Sequence, residues 1–137
     1  MVAASLQPNA GCPEGLTLTR RVVRAVREAF PVERPVLARI SATDWVDGGW
    51  DLEQSIVLAR ELREAGVDLV DCSSGGTVPD ARVPLAPGYQ VAFAEAIRVH
   101  AGIATGAIDP SVEAGTRVPP VVRVGVAVSA RRPACCA

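Results

Sequence analysis

Apolar residues recur at helical spacing from Leu18 to Phe30, with Val22, Val23, Val26 and Phe30 on one side and arginines on the other. Pro31 stops that pattern. A short β-rich run, Val36 to Ser41, follows and reads as a strand covered on both faces. Period-two alternation puts Leu37, Arg39 and Ser41 on one side of it, and Val36, Ala38 and Ile40 on the other. A Gly- and Asp-containing loop leads to Asp51, which opens a helix with Gln54 three residues on, the arrangement of a capping box. Leu52, Ile56, Ala59 and Leu62 form its expected buried stripe, and Gly66 supplies a left-handed stop.

Val67 to Ser73 is the next strand, and the residues from Ser74 to Gln90, with three prolines and three glycines, form a long loop. A third helix over Val91–Ala101 ends at Gly102, and Ile103–Ile108 reads as a strand. The pattern therefore predicts strands near 35–41, 67–73 and 103–108, parallel and adjacent, with helices near 18–30, 51–65 and 91–101. Each strand–helix step has the length of a right-handed crossover. The fold class is α/β. About three consecutive βα units make a partial TIM (β/α)8 barrel, because a complete one needs roughly 250 residues and the chain has 137.

Both ends differ in character. Residues 1–17 hold one acid, Glu14, and no periodicity, and no acid occurs beyond Glu113. All basic residues are arginine, and Ala, Gly, Pro and Val are abundant, which suggests a GC-rich genome. The expected division is an atypical N-terminal tail at 1–17, a barrel portion at 18–108 and an atypical, disordered tail at 109–137. The tails have the composition of GC-rich DNA read out of frame, so neither is expected to belong to the barrel.

A net charge of −1 gives no general attraction to nucleic acid or membrane. No uncharged run of 18 apolar residues occurs, and no basic lead precedes an apolar core at the start. Cys12, Cys72, Cys135 and Cys136 match no zinc or redox spacing. The expectation is a cytoplasmic protein acting on a small-molecule substrate, with no metal.

Chemistry concentrates at the strand ends, where barrel enzymes bind their ligands. Arg39 can hold an anion there, or stabilise charge developing on a bound ring. The plainer alternative is an ion pair with Asp44 or Asp71. Gly75-Gly76 can admit a ligand to the backbone or simply turn, and Tyr89 and Gln90 can line a pocket or cap the helix. His100 suits the dipole at a helix end. Cys72 reads as a buried small hydrophobe. Asp68 and Asp71 point to opposite sides of their strand and form no paired-carboxylate site.

The pieces VVRAVREAFP, PVLARISATDW, ARELREAGVDLVDCSSGG, PGYQVAFAEAIR and IATGAI carry a resemblance. In this order and spacing, Arg24–Ile108 resembles the old yellow enzyme family of FMN-dependent NAD(P)H oxidoreductases. It is most similar to the bacterial ene-reductases and xenobiotic reductases. The resemblance implies a TIM barrel with FMN at its carboxyl face, of which this part looks like the fourth helix through the seventh strand. It implies a flavin role for Arg39, at the family's R-[IV]-S strand, beside the flavin N1 and O2 edge. NADH or NADPH would be the reductant, with activated alkenes or similar acceptors as substrates.

The chain departs from the family in two places. The family's substrate-binding His pair (or His with Asn) and its tyrosine proton donor lie upstream of the matched part, so no catalytic residue is assigned here. In the family the flavin phosphate site is formed by Gly-containing loops after the seventh strand and a Gly-Arg on the eighth; after TGAI this chain has Asp109-Pro110, and no Gly-Arg strand follows. The expectation is a fragment of a flavin oxidoreductase. One alternative is a non-enzymatic truncated or frameshifted product with no independent activity. Another α/β barrel or a flavodoxin-like module with a phosphate ligand would need a glycine-rich loop at a helix start, and none is convincing.

Overall fold

The computed structural model describes residues 3–6, 13–79 and 81–107, with residues 3–6 and 13–15 as backbone only. In chain order these form β1 (Ala3–Leu6), α1 (Pro13–Ala29), β2 (Leu37–Ser41), α2 (Leu52–Glu64), β3 (Leu69–Ser73), α3 (Val91–Ala101) and β4 (Ala104–Ala107). The strands make one parallel sheet in the order β1-β2-β3-β4. The fold is thus α/β, and the three expected strands are parallel and adjacent.

A further strand precedes the three expected ones. Ala3–Leu6 pairs in register with β2, Ala3 opposite Leu37 and Leu6 opposite Ile40. The helix begins at Pro13 rather than Leu18. Proline suits a first helical turn, where its missing N–H has no intrahelical partner to lose. Periodicity hid this start because the first turn carries little apolar surface; Leu16 and Thr19 continue the stripe of Val23 and Val26 toward the N-terminus. Ile108 and the expected tail at 109–137 lie outside the described residues.

The core lies between the sheet and the helices. Ala38, Ile40, Val70, Cys72 and Ala107 on one sheet face join Leu58, Ala59 and Leu62 of α2 and Ala94, Ile97 and Ala101 of α3 in one buried cluster. Polar groups entering it are satisfied, as burial requires: the Thr105 hydroxyl on β4 donates to the Ala94 carbonyl at 2.9 Å. Helix α2 starts on the predicted capping box, with Gln54 N–H donating to Asp51 Oδ1 at 2.9 Å and Asp51 N–H donating to Gln54 Oε1 at 3.1 Å. Its buried face differs from the predicted stripe. Ser55, Leu58, Ala59 and Leu62 are buried, whereas Leu52 and Ile56 are only partly so.

The reason is Ser55. Its hydroxyl accepts from Trp50 Nε1 at 2.6 Å and donates to the Ala42 carbonyl at 2.9 Å. A serine satisfied on both sides can occupy a core position that a hydropathy pattern assigns to Leu52 or Ile56. Strand β3 also starts two residues later than expected. Val67 N–H is taken by the Leu62 carbonyl at the end of α2, and Asp68 N–H by the Val36 carbonyl, so the ladder begins at Leu69. Gly66 and Gly102 adopt the predicted left-handed stops, at φ 93° and 65°.

Candidate anion site at the strand ends

The face of the sheet away from the core carries Leu37, Arg39 and Ser41 from β2, Leu69, Asp71 and Ser73 from β3, and Ala104 and Gly106 from β4, by alternation with the core residues. Registration fixes their levels. Arg39 is the partner of Asp71, and Asp71 the partner of Gly106. The arginine therefore stands on this face, one turn of the pleat before the carboxyl end of β2, as the sequence alternation predicted.

Its surroundings decide between the partners weighed for it. Arg39 Nε lies 3.8 Å from Asp71 Oδ2, with the two side chains 24% and 9% exposed. Nη2 donates to Ser73 Oγ at 3.5 Å. Both contacts are long, and both come from β3. Asp44 is engaged elsewhere, accepting from Trp50 N–H at 3.2 Å to close the loop after β2. Burial pushes the Asp71 carboxyl above its ordinary range, and the Arg39 charge offsets only part of that rise. Among the described residues these two long contacts on one flank leave donors of the guanidinium for an incoming anion or an electron-rich ring edge.

The loops above the strands are tied together. Ala42 N–H donates to the Ser73 carbonyl at 2.7 Å and Gly75 N–H to the Thr43 carbonyl at 2.8 Å, continuing the β2–β3 pairing past the strand ends. Ser41 Oγ reaches the Gly75 carbonyl at 3.2 Å. Gly75 and Gly76 both have positive φ. A Cβ on Gly75 would lie 2.9 Å from Val83 Cγ2 and 3.4 Å from Trp45 Cδ1, so this glycine serves close packing of the loops rather than an open ligand approach. Trp45 sits above it at φ 61°, its ring edge-on to Phe93 with centroids 5.4 Å apart. Its Nε1 and Ser74 Oγ are buried without a hydrogen-bond partner among the described residues.

The other weighed residues lie elsewhere. Gln90 is buried and makes no side-chain cap to α3, while its amide donates to the Tyr89 hydroxyl. His100 is exposed in the last turn of α3. Cys72 is buried in the core, where desolvation first and the Asp71 charge second push its thiol up to about 12. Asp68, off the inner face, accepts from Val36 N–H at 2.8 Å and faces Arg27 at 3.5 Å. Sequence reasoning missed Ser73 as a contact of Arg39 and missed the left-handed Trp45. The first was available by extending the Leu37-Arg39-Ser41 phase across to β3; the second left no signal, since tryptophan rarely adopts that backbone.

No family model matches the chain. Curated relatives do. The chain is similar to the NADPH dehydrogenase of Halalkalibacterium halodurans, 45% identical over 91 residues, which are 66% of this chain and 26% of the relative. The NADPH dehydrogenase of Listeria innocua is 42% identical over 104 residues, covering 74% of this chain and 30% of the relative. That of Bacillus velezensis is 49% identical over 86 residues, 63% and 25% of the two chains. The chain spans between a quarter and a third of the length of the curated relatives it matches. With identities of 42–49% over 86–104 residues, the chain belongs to the old yellow enzyme family, of which it is a partial chain.

Proposed function

We propose that this chain is part of an FMN-dependent NADPH oxidoreductase barrel, and that Arg39 holds the edge of the flavin ring. The observation that carries this reading is Arg39 itself, a cation near the carboxyl end of a parallel strand, on the sheet face opposite the core, whose contacts among the described residues come from β3. The names of the relatives, NADPH dehydrogenase, support NADPH as reductant. The donor set suits the group: one guanidinium flanked by the hydroxyls of Ser41 and Ser73 matches an oxygen-rich, electron-accepting ring edge. FMN when bound supplies hydride transfer. This chain's own contribution is to bind and orient it, with Arg39 favouring negative charge on the ring.

Arg39 is the one cation on this face of β2, β3 and β4, so the phosphate of FMN has no holder there. The 137-residue chain alone is therefore proposed to bind flavin weakly and to have no turnover of its own. The test is titration of the ¹⁵N-labelled chain with FMN and with riboflavin, read by NMR. Shifts should cluster at Arg39, Ser41, Ser73 and Gly106, spare Cys72 and Thr105, be similar for the two flavins, and disappear in Arg39→Ala. Shifts that avoid the inner face would sink the flavin reading. Stoichiometric yellow flavin copurifying with the chain would overturn the expectation of weak binding.

A further inference from the structure

We propose that Asp71 is a positioning residue for Arg39: it holds the guanidinium against β3 so that the opposite edge of the group faces the ligand. The ligand in this inference rests on the flavin reading above, whereas the positioning rests on geometry alone. Arg39 and Asp71 are cross-strand partners, so their approach is set by the sheet ladder and not by a loop. Nε faces Asp71 Oδ2 at 3.8 Å and Nη2 faces Ser73 Oγ at 3.5 Å, and both contacts come from β3. Among the described residues, Nη1 is the guanidinium nitrogen with no hydrogen bond or ion pair.

Among the described residues the one ion pair of Asp71 is with Arg39, and its partner on β4 is Gly106, which presents no side chain. A carboxylate 9% exposed is poorly hydrated and attracts the nearest cation more strongly than a surface acid does. Ser73 is a neutral contact at the outer limit of hydrogen bonding, and cannot by itself hold a flexible arginine. The carboxylate thus does two things at once. It fixes which edge of the guanidinium is presented, and it cancels part of the positive charge that a bound ring would feel.

The test uses the full chain in four forms: parent, Asp71→Asn, Asp71→Ala and Ser73→Ala, each checked for fold by circular dichroism. Without flavin, the Arg39 Nε–Hε proton is read by NMR. The expected result is exchange with solvent about tenfold faster in D71N and D71A, with little change in S73A. Exchange unchanged in whichever Asp71 variant folds, or accelerated only in S73A, overturns the proposal. With flavin, removal of the negative charge should raise the affinity for reduced relative to oxidised FMN about tenfold, which is about 30 mV for a two-electron couple. A ratio unchanged or lowered overturns the charge-cancelling part. If FMN shifts no inner-face resonance in any form, the flavin reading fails while the exchange measurement still decides the role of Asp71.

Discussion

Replacing Ser55 by alanine removes one oxygen atom from the molecule and breaks two hydrogen bonds. Trp50 Nε1 loses its acceptor at 2.6 Å and the Ala42 carbonyl loses its donor at 2.9 Å. Ser55 and Ala42 are fully buried and Trp50 is 6% exposed, so water does not readily replace the hydroxyl. An orphaned buried donor or acceptor costs about 1–3 kcal/mol, and a carbonyl tolerates it better than an N–H. The expected loss is about 2–4 kcal/mol, a large part of the roughly 5–15 kcal/mol that holds a domain together. Trp50→Phe removes the donor as well as the need for the acceptor, so the double variant should be less destabilised than the sum of the singles by about 1 kcal/mol or more. Urea unfolding followed by circular dichroism reads all of these variants on one signal. A loss in S55A below about 0.5 kcal/mol, the usual size of an inconsequential surface change, would refute the reasoning that this serine is a structural member of the core.

Gly75 and Gly76 should respond differently to alanine. Both need positive φ, which costs an L-residue roughly 1–2 kcal/mol, but only Gly75 also meets Val83 at 2.9 Å; thermal unfolding should place G75A clearly below G76A, and equal midpoints would remove the close-packing role. Cys72 should resist thiol reagents at neutral pH until the chain unfolds, because its thiol is pushed up to about 12. The sign of the linkage follows: with the folded value raised above the ordinary 9.0, stability from this group is complete below pH 9 and is lost as pH rises toward about 12. Urea midpoints measured across that range should fall for the parent and fall less for Cys72→Ala; parallel profiles would contradict it.

What was legible in the sequence follows from how each element announces itself. Strands β2 and β3 and helices α2 and α3 lie in one segment where apolar runs, a capping box and two left-handed glycines agree, and agreement between levels makes an element readable. The start of α1 and the strand β1 were not readable, because Ala3–Leu6 is a four-residue run of small and mixed residues whose only reason to be a strand is the edge of β2 beside it. Tertiary pairing decides such a segment, and a local pattern carries no record of it. The shift of the α2 stripe has the opposite origin. Ser55 is polar by any scale, and its place in the core depends on Trp50 and Ala42 meeting it, which spacing along one helix does not reveal.

The site shows the same division at closer range. That Arg39 stands on a different face from Ile40 is a matter of period two, and was fixed by the residues of one strand. Which acid it meets is a matter of register, a relation between two strands. Asp44 and Asp71 were equal candidates along the chain; Asp44 is three residues past β2 and turns back to close its own loop on Trp50, whereas Asp71 is brought level with Arg39 by the ladder. The consequence reaches function. A counter-ion carried on a loop would move whenever the loop moves, but one carried on the neighbouring strand is as fixed as the sheet. The charge that Arg39 would offer to the proposed ligand is then set by a pair of backbone positions rather than by the loops above them, which pack around Trp45 and Gly75.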